Sequence, residues 1–119
     1  MLFEAPDESC WVGSLRLSLR IPGSRSLKDK RKAVAQIRDR LRSKKNLSVA
    51  EIGHLDDHQR AVLVVVLAAN DKLLIQSTLD RVTHNVGTWR AALIEDSYIQ
   101  INRPWDDSLQ NQYDDLITG

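Results

Sequence analysis

The sequence predicts an α+β fold, a four-stranded antiparallel sheet with two helices on one face, and three observations predict it. Val12 to Ile21 alternates strictly, with Leu15, Leu17, Leu19 and Ile21 on one side and Ser14, Arg16, Ser18 and Arg20 on the other. That is the period of a strand with one buried face. Two later stretches carry apolar stripes at helical spacing, Leu27, Val34, Ile37, Leu41 and Ile75, Leu79, Val82, Val86. Between them Ala61 to Ala69 is apolar on both sides, as a strand in the middle of a sheet would be. A chain of 119 residues with 42% apolar and 28% charged residues makes about one folded domain and excludes wholesale disorder.

Each element has its own boundary signals. Pro22-Gly23 ends the first strand. Ser26, three residues before Asp29, opens the first helix in the manner of a capping box, with the carboxylate where the helix dipole favours it. Leu47 to His54 forms a second strand and Arg60 to Ala69 a third. Asn70 caps the second helix and Gly87 stops it. Trp89 to Asn102 gives the fourth strand, irregular near Glu95-Asp96, where the alternation slips. The order βαββαβ with right-handed crossovers is the ferredoxin-like arrangement.

Such a domain spans residues 10–102, after an N-terminal extension (1–9) and before an acidic tail (103–119). The uncovered sheet face would expose half of the third strand as Val and Ala, so a cover is expected. Either a second copy forms a homodimer across that face, or the tail folds back. Trp105, Leu109, Tyr113, Leu116 and Ile117 would lie on one side of an amphipathic C-terminal helix, with Asp106, Asp107, Asp114 and Asp115 outward; a disordered tail is the alternative. The longest apolar run has nine residues, against roughly 20 for a membrane span, so no membrane contact is expected. MLFEAPDES has neither the basic nor the apolar region of a secretion signal, and Cys10 is the single cysteine. Together they point to a cytoplasmic protein without a disulfide.

Charge carries the functional signal. Arg16 to Lys45 holds twelve Lys or Arg against Asp29 and Asp39, a balance of +10, while the rest of the chain has five basic and fourteen acidic residues. Within the first helix and its end, Lys28, Lys30, Arg31, Lys32, Arg38, Arg40, Arg42, Lys44 and Lys45 exceed anything two aspartates can neutralise. A solvated charged face is the ordinary explanation of a charge run, but uncompensated like charges gain from a polyanion. The acidic tail is an intramolecular alternative. The segment PGSRSLKDKRK leads into a helix N-terminus, which offers backbone donors and a positive dipole end. Ser24, Arg25, Ser26, Lys28, Arg31, Lys32, Arg38 and Arg42 are therefore the candidate phosphate contacts. Plain helix capping by Ser26 competes with that reading, and the missing GK[ST] ending excludes a P-loop.

RLSLRIPGSRSLKDKRKAV and LSVAEIGHLDDHQRA resemble the bacterial YlxP-like family, small proteins catalogued as a domain of unknown function. The resemblance runs from about Val12 to Ile101 and implies a ferredoxin-like fold. His58 departs from it, standing where an aromatic, often Trp, is expected. Members are often encoded near translation and ribosome-maturation genes, which implies an RNA or ribosomal partner. No catalytic residue or cofactor is implied.

Competing chemistries rank lower. Glu51, His54, Asp56, Asp57 and His58 have metal-ligand character, but they straddle a strand end and a loop, so no metal site is expected. His84 has no evident partner in sequence. An acylphosphatase-like enzyme would use Arg25 and Asn46, but the glycine-rich loop it needs is missing. A structural dimer or protein adaptor without a nucleic-acid role is the third reading. Tyr98 is the one mid-strand aromatic of the open face, so base stacking there is not expected. Trp11, Trp89 and Trp105 lie at element ends, where packing is expected. The expectation is a non-enzymatic, cofactor-free protein that meets the phosphate backbone of RNA or a ribosomal particle through its basic helix.

Overall fold

A computed structural model describes residues 9–43 and 46–105. Its elements are β1 (Trp11–Arg20), α1 (Leu27–Arg42), β2 (Ser48–Gly53), β3 (Arg60–Ala69), α2 (Lys72–Thr88) and β4 (Leu93–Asn102). The expected tail helix, Lys44 and Lys45 lie outside the described residues. The sheet order is β2-β3-β1-β4 with every neighbouring pair antiparallel. This is the ferredoxin-like α+β fold.

One core explains the layering. Leu15, Leu17 and Leu19 of β1, Val49 of β2 and Leu63, Val65 and Leu67 of β3 point to the same side. There they pack with Val34, Ile37 and Leu41 of α1 and Ile75, Leu79, Val82 and Val86 of α2. Both helices therefore cover one face, each fully buried aliphatic contributing roughly 1.5–3 kcal/mol by its removal from water. The opposite face carries Ser14, Arg16, Ser18 and Arg20 between the β3 valines and Tyr98 and Gln100 of β4.

Besides one-residue shifts at the ends of β1 and β2, three boundaries around α2 differ from the sequence expectation. Asp71, not Asn70, caps α2, its carboxylate accepting the Leu73 N–H at 3.0 Å. The helix runs through Gly87 to Thr88, and Trp89 ends it with extended backbone, so β4 begins only at Leu93. The slip in β4 is a bulge: Ser18 pairs with Asp96 but Leu19 with Ile94, leaving Glu95 as the extra residue. Glu95 then reaches Arg20 across the strands at 2.9 Å.

Gly13 sets the depth at which α2 seats. A Cβ there would collide with Cγ2 of Ile75 and come within 3.1 Å of Cδ1 of Leu79. Gly13→Ala should cost about 1–3 kcal/mol by overpacking. A melting temperature several degrees lower would show it, and an unchanged one would contradict this packing.

Candidate nucleic-acid interface

The turn before α1 is self-contained. Ser24 N donates to the Ile21 carbonyl at 3.1 Å, closing the chain over Pro22-Gly23. Ser24 itself is 2% exposed, and its hydroxyl donates to the Ser26 carbonyl at 3.0 Å. Ser26 is the N-cap: its Oγ accepts the Asp29 N–H at 3.0 Å, and Asp29 Oδ2 in turn accepts the Arg25 N–H at 3.0 Å. The expected capping interaction is thus present, and Ser24 is turned away from any external phosphate. Ser26 is exposed and still has a hydroxyl proton to donate.

The helix then sorts its cations by its own periodicity. Lys30, Val34, Ile37 and Leu41 form the buried stripe. Lys28 and Lys32 point away from the sheet, with Arg31 beside them, and all three are exposed, as is Arg25. Arg31, Arg38 and Arg42 follow one another on the flank towards β2, where Arg42 Nη2 donates to the Val49 carbonyl at 3.0 Å. Arg38 is half-buried, with its Nε buried and without a hydrogen-bond partner among the described residues. Arg40 leaves the other flank to lie 4.3 Å over the Trp89 ring. Two ion pairs are present among the described residues, Arg20–Glu95 and Lys30–Glu51, and neither involves an exposed cation of α1.

Lys30 corrects the count of surface charge. It is 1% exposed, and its Nζ reaches the carbonyl oxygens of His54 (2.8 Å) and Leu55 (3.4 Å) and Glu51 Oε2 (3.0 Å). The carboxylate contact satisfies charge rather than hydrogen-bond angle, since Glu51 Oε2 is buried without a hydrogen-bonded partner among the described residues. The signal for this pair was in the sequence. Lys30 fills the gap between Leu27 and Val34 on the apolar stripe, and Glu51 falls on the inward side of β2 with Val49.

The β2–β3 turn is tied to the same end of the molecule. His54 adopts a left-handed backbone (φ 55°) and its carbonyl also accepts the Asp57 N–H at 3.1 Å. Ile21 N donates to the Gln59 carbonyl at 2.8 Å, and Gln59 Nε2 to the Ser24 carbonyl at 3.3 Å. Among the described residues no three His, Cys, Asp or Glu side chains gather as metal ligands. The Gln59 N–H donates to Asp57 at 2.8 Å and holds its carboxyl below the usual aspartate value, with lesser help from His54, Arg60 and His58 against desolvation. A depressed folded-state pKa adds stability above the unfolded value of 3.8 and loses it as pH falls through the folded one. Asp57→Asn should therefore flatten the acid limb of a stability-versus-pH curve below about pH 4. An unchanged limb would contradict the assignment.

Two of the tryptophans are packed as expected. Trp11 is half-buried, with Lys72 Nζ and the Arg103 guanidinium each 5.4 Å from its ring, and Trp89 lies under Arg40. Trp105 is 76% exposed, so the packing expected of it is not found among the described residues.

A ferredoxin-like domain with a cationic helix face is the class that fold and site define. The chain matches the family described as protein of unknown function (DUF503) over residues 12–99, and it belongs to that family. No curated protein matches it. Among solved structures it is similar to a de novo designed protein, Foldit4, with 12% identity and a TM-score of 0.49, covering 82% of this chain and 100% of that one. It is also similar to a C-terminal segment of the alpha subunit of aIF2 from Pyrococcus abyssi, with 14% identity and a TM-score of 0.45. That match covers 82% of this chain and about half (52%) of the other. No helix among the described residues is long and apolar enough to cross a membrane.

Proposed function

We propose that this protein is a non-enzymatic factor that binds structured RNA, free or on a ribosomal particle, by its phosphate backbone. The observation that carries the reading is the trio Lys28, Arg31 and Lys32, exposed side by side on α1 and engaged in no ion pair among the described residues. Arg25 before the helix and Arg42 on the β2 flank extend this surface, and half-buried Arg38 lies between Arg31 and Arg42. Mutual repulsion of these charges favours a polyanion that neutralises several at once. Base readout is not part of the proposal, because the open sheet face offers Tyr98 as its mid-strand aromatic. Ser24 drops out of the contact set because it is buried, whereas Ser26 keeps a donor to offer.

The reading includes a cytoplasmic location, membership of the YlxP-like group on the two segments quoted above, and a second copy across the open sheet face. Capture of purified ribosomal particles and ribosomal RNA on the immobilised protein tests it. Wild type should retain RNA, and Lys28→Glu/Arg31→Glu/Lys32→Glu should not. Equal retention by both, or by neither, contradicts the proposal.

A further inference from the structure

The same buried lysine points to an anion contact outside α1. Its ammonium is out of solvent and cannot meet a phosphate. It turns the carbonyls of His54 and Leu55 inward, at 2.8 and 3.4 Å. A trans peptide is planar, so its N–H points opposite to its C=O, and no cis bond occurs in the described chain. With those two carbonyls facing Lys30, the N–H groups of Leu55 and Asp56 face outward on an exposed turn. Successive outward N–H groups beside a left-handed residue, here His54 with φ 55°, form a concavity suited to an anion. The turn is stitched to the segment before α1 through Gln59, so this concavity is held at the same end of the fold as Arg25 and Lys28.

We propose that Lys30 is a positioning residue that orients the Leu55 and Asp56 amides to receive a phosphate oxygen of the RNA bound along α1. This rests on the RNA reading above and adds a contact that carries no charge of its own. A methionine would bury the same stem without aiming either carbonyl. The Asp56 carboxylate on the same turn opposes an anion, and Asp57, engaged by Gln59, adds to that opposition. Removing the first charge, Asp56→Asn, should therefore tighten binding several-fold.

The test measures affinity for a structured RNA and its dependence on salt in wild type, Lys30→Met and Val34→Ala, the last as a fold-destabilising control. Lys30→Met should bind about tenfold more weakly with an unchanged salt slope, since no phosphate cation is lost, while folded Val34→Ala binds as wild type. In wild type the Leu55 and Asp56 amide resonances should shift on adding RNA, a readout that survives if Lys30→Met fails to fold. Wild-type binding with stationary amides, or a Lys30→Met variant that binds equally well, overturns the contact but leaves the α1 reading standing. A slope reduced in Lys30→Met would mean that Lys30 meets phosphate itself, which also overturns it. Absence of salt-dependent binding in wild type removes the reading beneath both.

Discussion

Lys28→Glu/Arg31→Glu/Lys32→Glu is expected to weaken RNA binding by about 100-fold or more near 0.1 M salt. Each phosphate contact contributes roughly 0.7–0.9 to the salt slope, so losing three removes about two log units of affinity at that concentration, and reversed charges repel beyond that. The slope itself should fall by about 2–3. These side chains are exposed and unpaired among the described residues, so stability should stay within about 0.5 kcal/mol. That separation is diagnostic. A variant that binds normally would show that α1 is only a solvated face, and one that unfolds would show that the cations have intramolecular partners.

Lys30→Met should be the opposite kind of variant, altering stability first. It strands Glu51 and leaves two turn carbonyls without their ammonium donor. Breaking a buried pair from one side costs roughly 3–5 kcal/mol. Here the Glu51 side chain is 18% exposed and can partly rehydrate, so about 2–3 kcal/mol is the expected loss. Adding Glu51→Leu should recover part of it, because the stranded carboxylate goes too. Urea denaturation of the two single variants and the double variant measures the coupling. Additive losses would mean that the 3.0 Å contact contributes nothing and that Lys30 acts through the carbonyls alone.

The fold was readable because its two periodicities are clean. The alternation of β1 and the stripes of the helices each bury one side, and β3, apolar on both, had to be central. The tie between Lys30 and Glu51 was written in the same patterns but hidden by a charge run. Eight of the nine cations of α1 and its end can be solvated wherever they fall, so the ninth, on the core side, does not stand out in the run. The cap of α2 was not decidable, since Asn70 and Asp71 are both good caps and the backbone chooses between them. Gly87 could have stopped that helix, but a stop there needs a left-handed backbone, and no glycine in the described chain has one. Pairings across long loops were beyond reach: Arg40 over Trp89 and Gln59 at the Ser24 carbonyl join residues that only the sheet topology brings together.

The candidate site was legible as a list of charges, not as a surface. Lys28, Arg31 and Lys32 stand among the eight candidate contacts read from the sequence, and all three are exposed. It could not say that Ser24 hydrogen-bonds inward, or that Arg40 is held by an aromatic ring.

The most direct measurement is the affinity of the wild-type protein for a structured RNA as salt rises from about 50 to 200 mM. Five phosphates met by Arg25, Lys28, Arg31, Lys32 and Arg42 predict a log–log slope of about −3.5 to −4.5, a loss of roughly 100- to 500-fold across that range. A slope shallower than about −1, or no binding at the lowest salt, would contradict the electrostatic account.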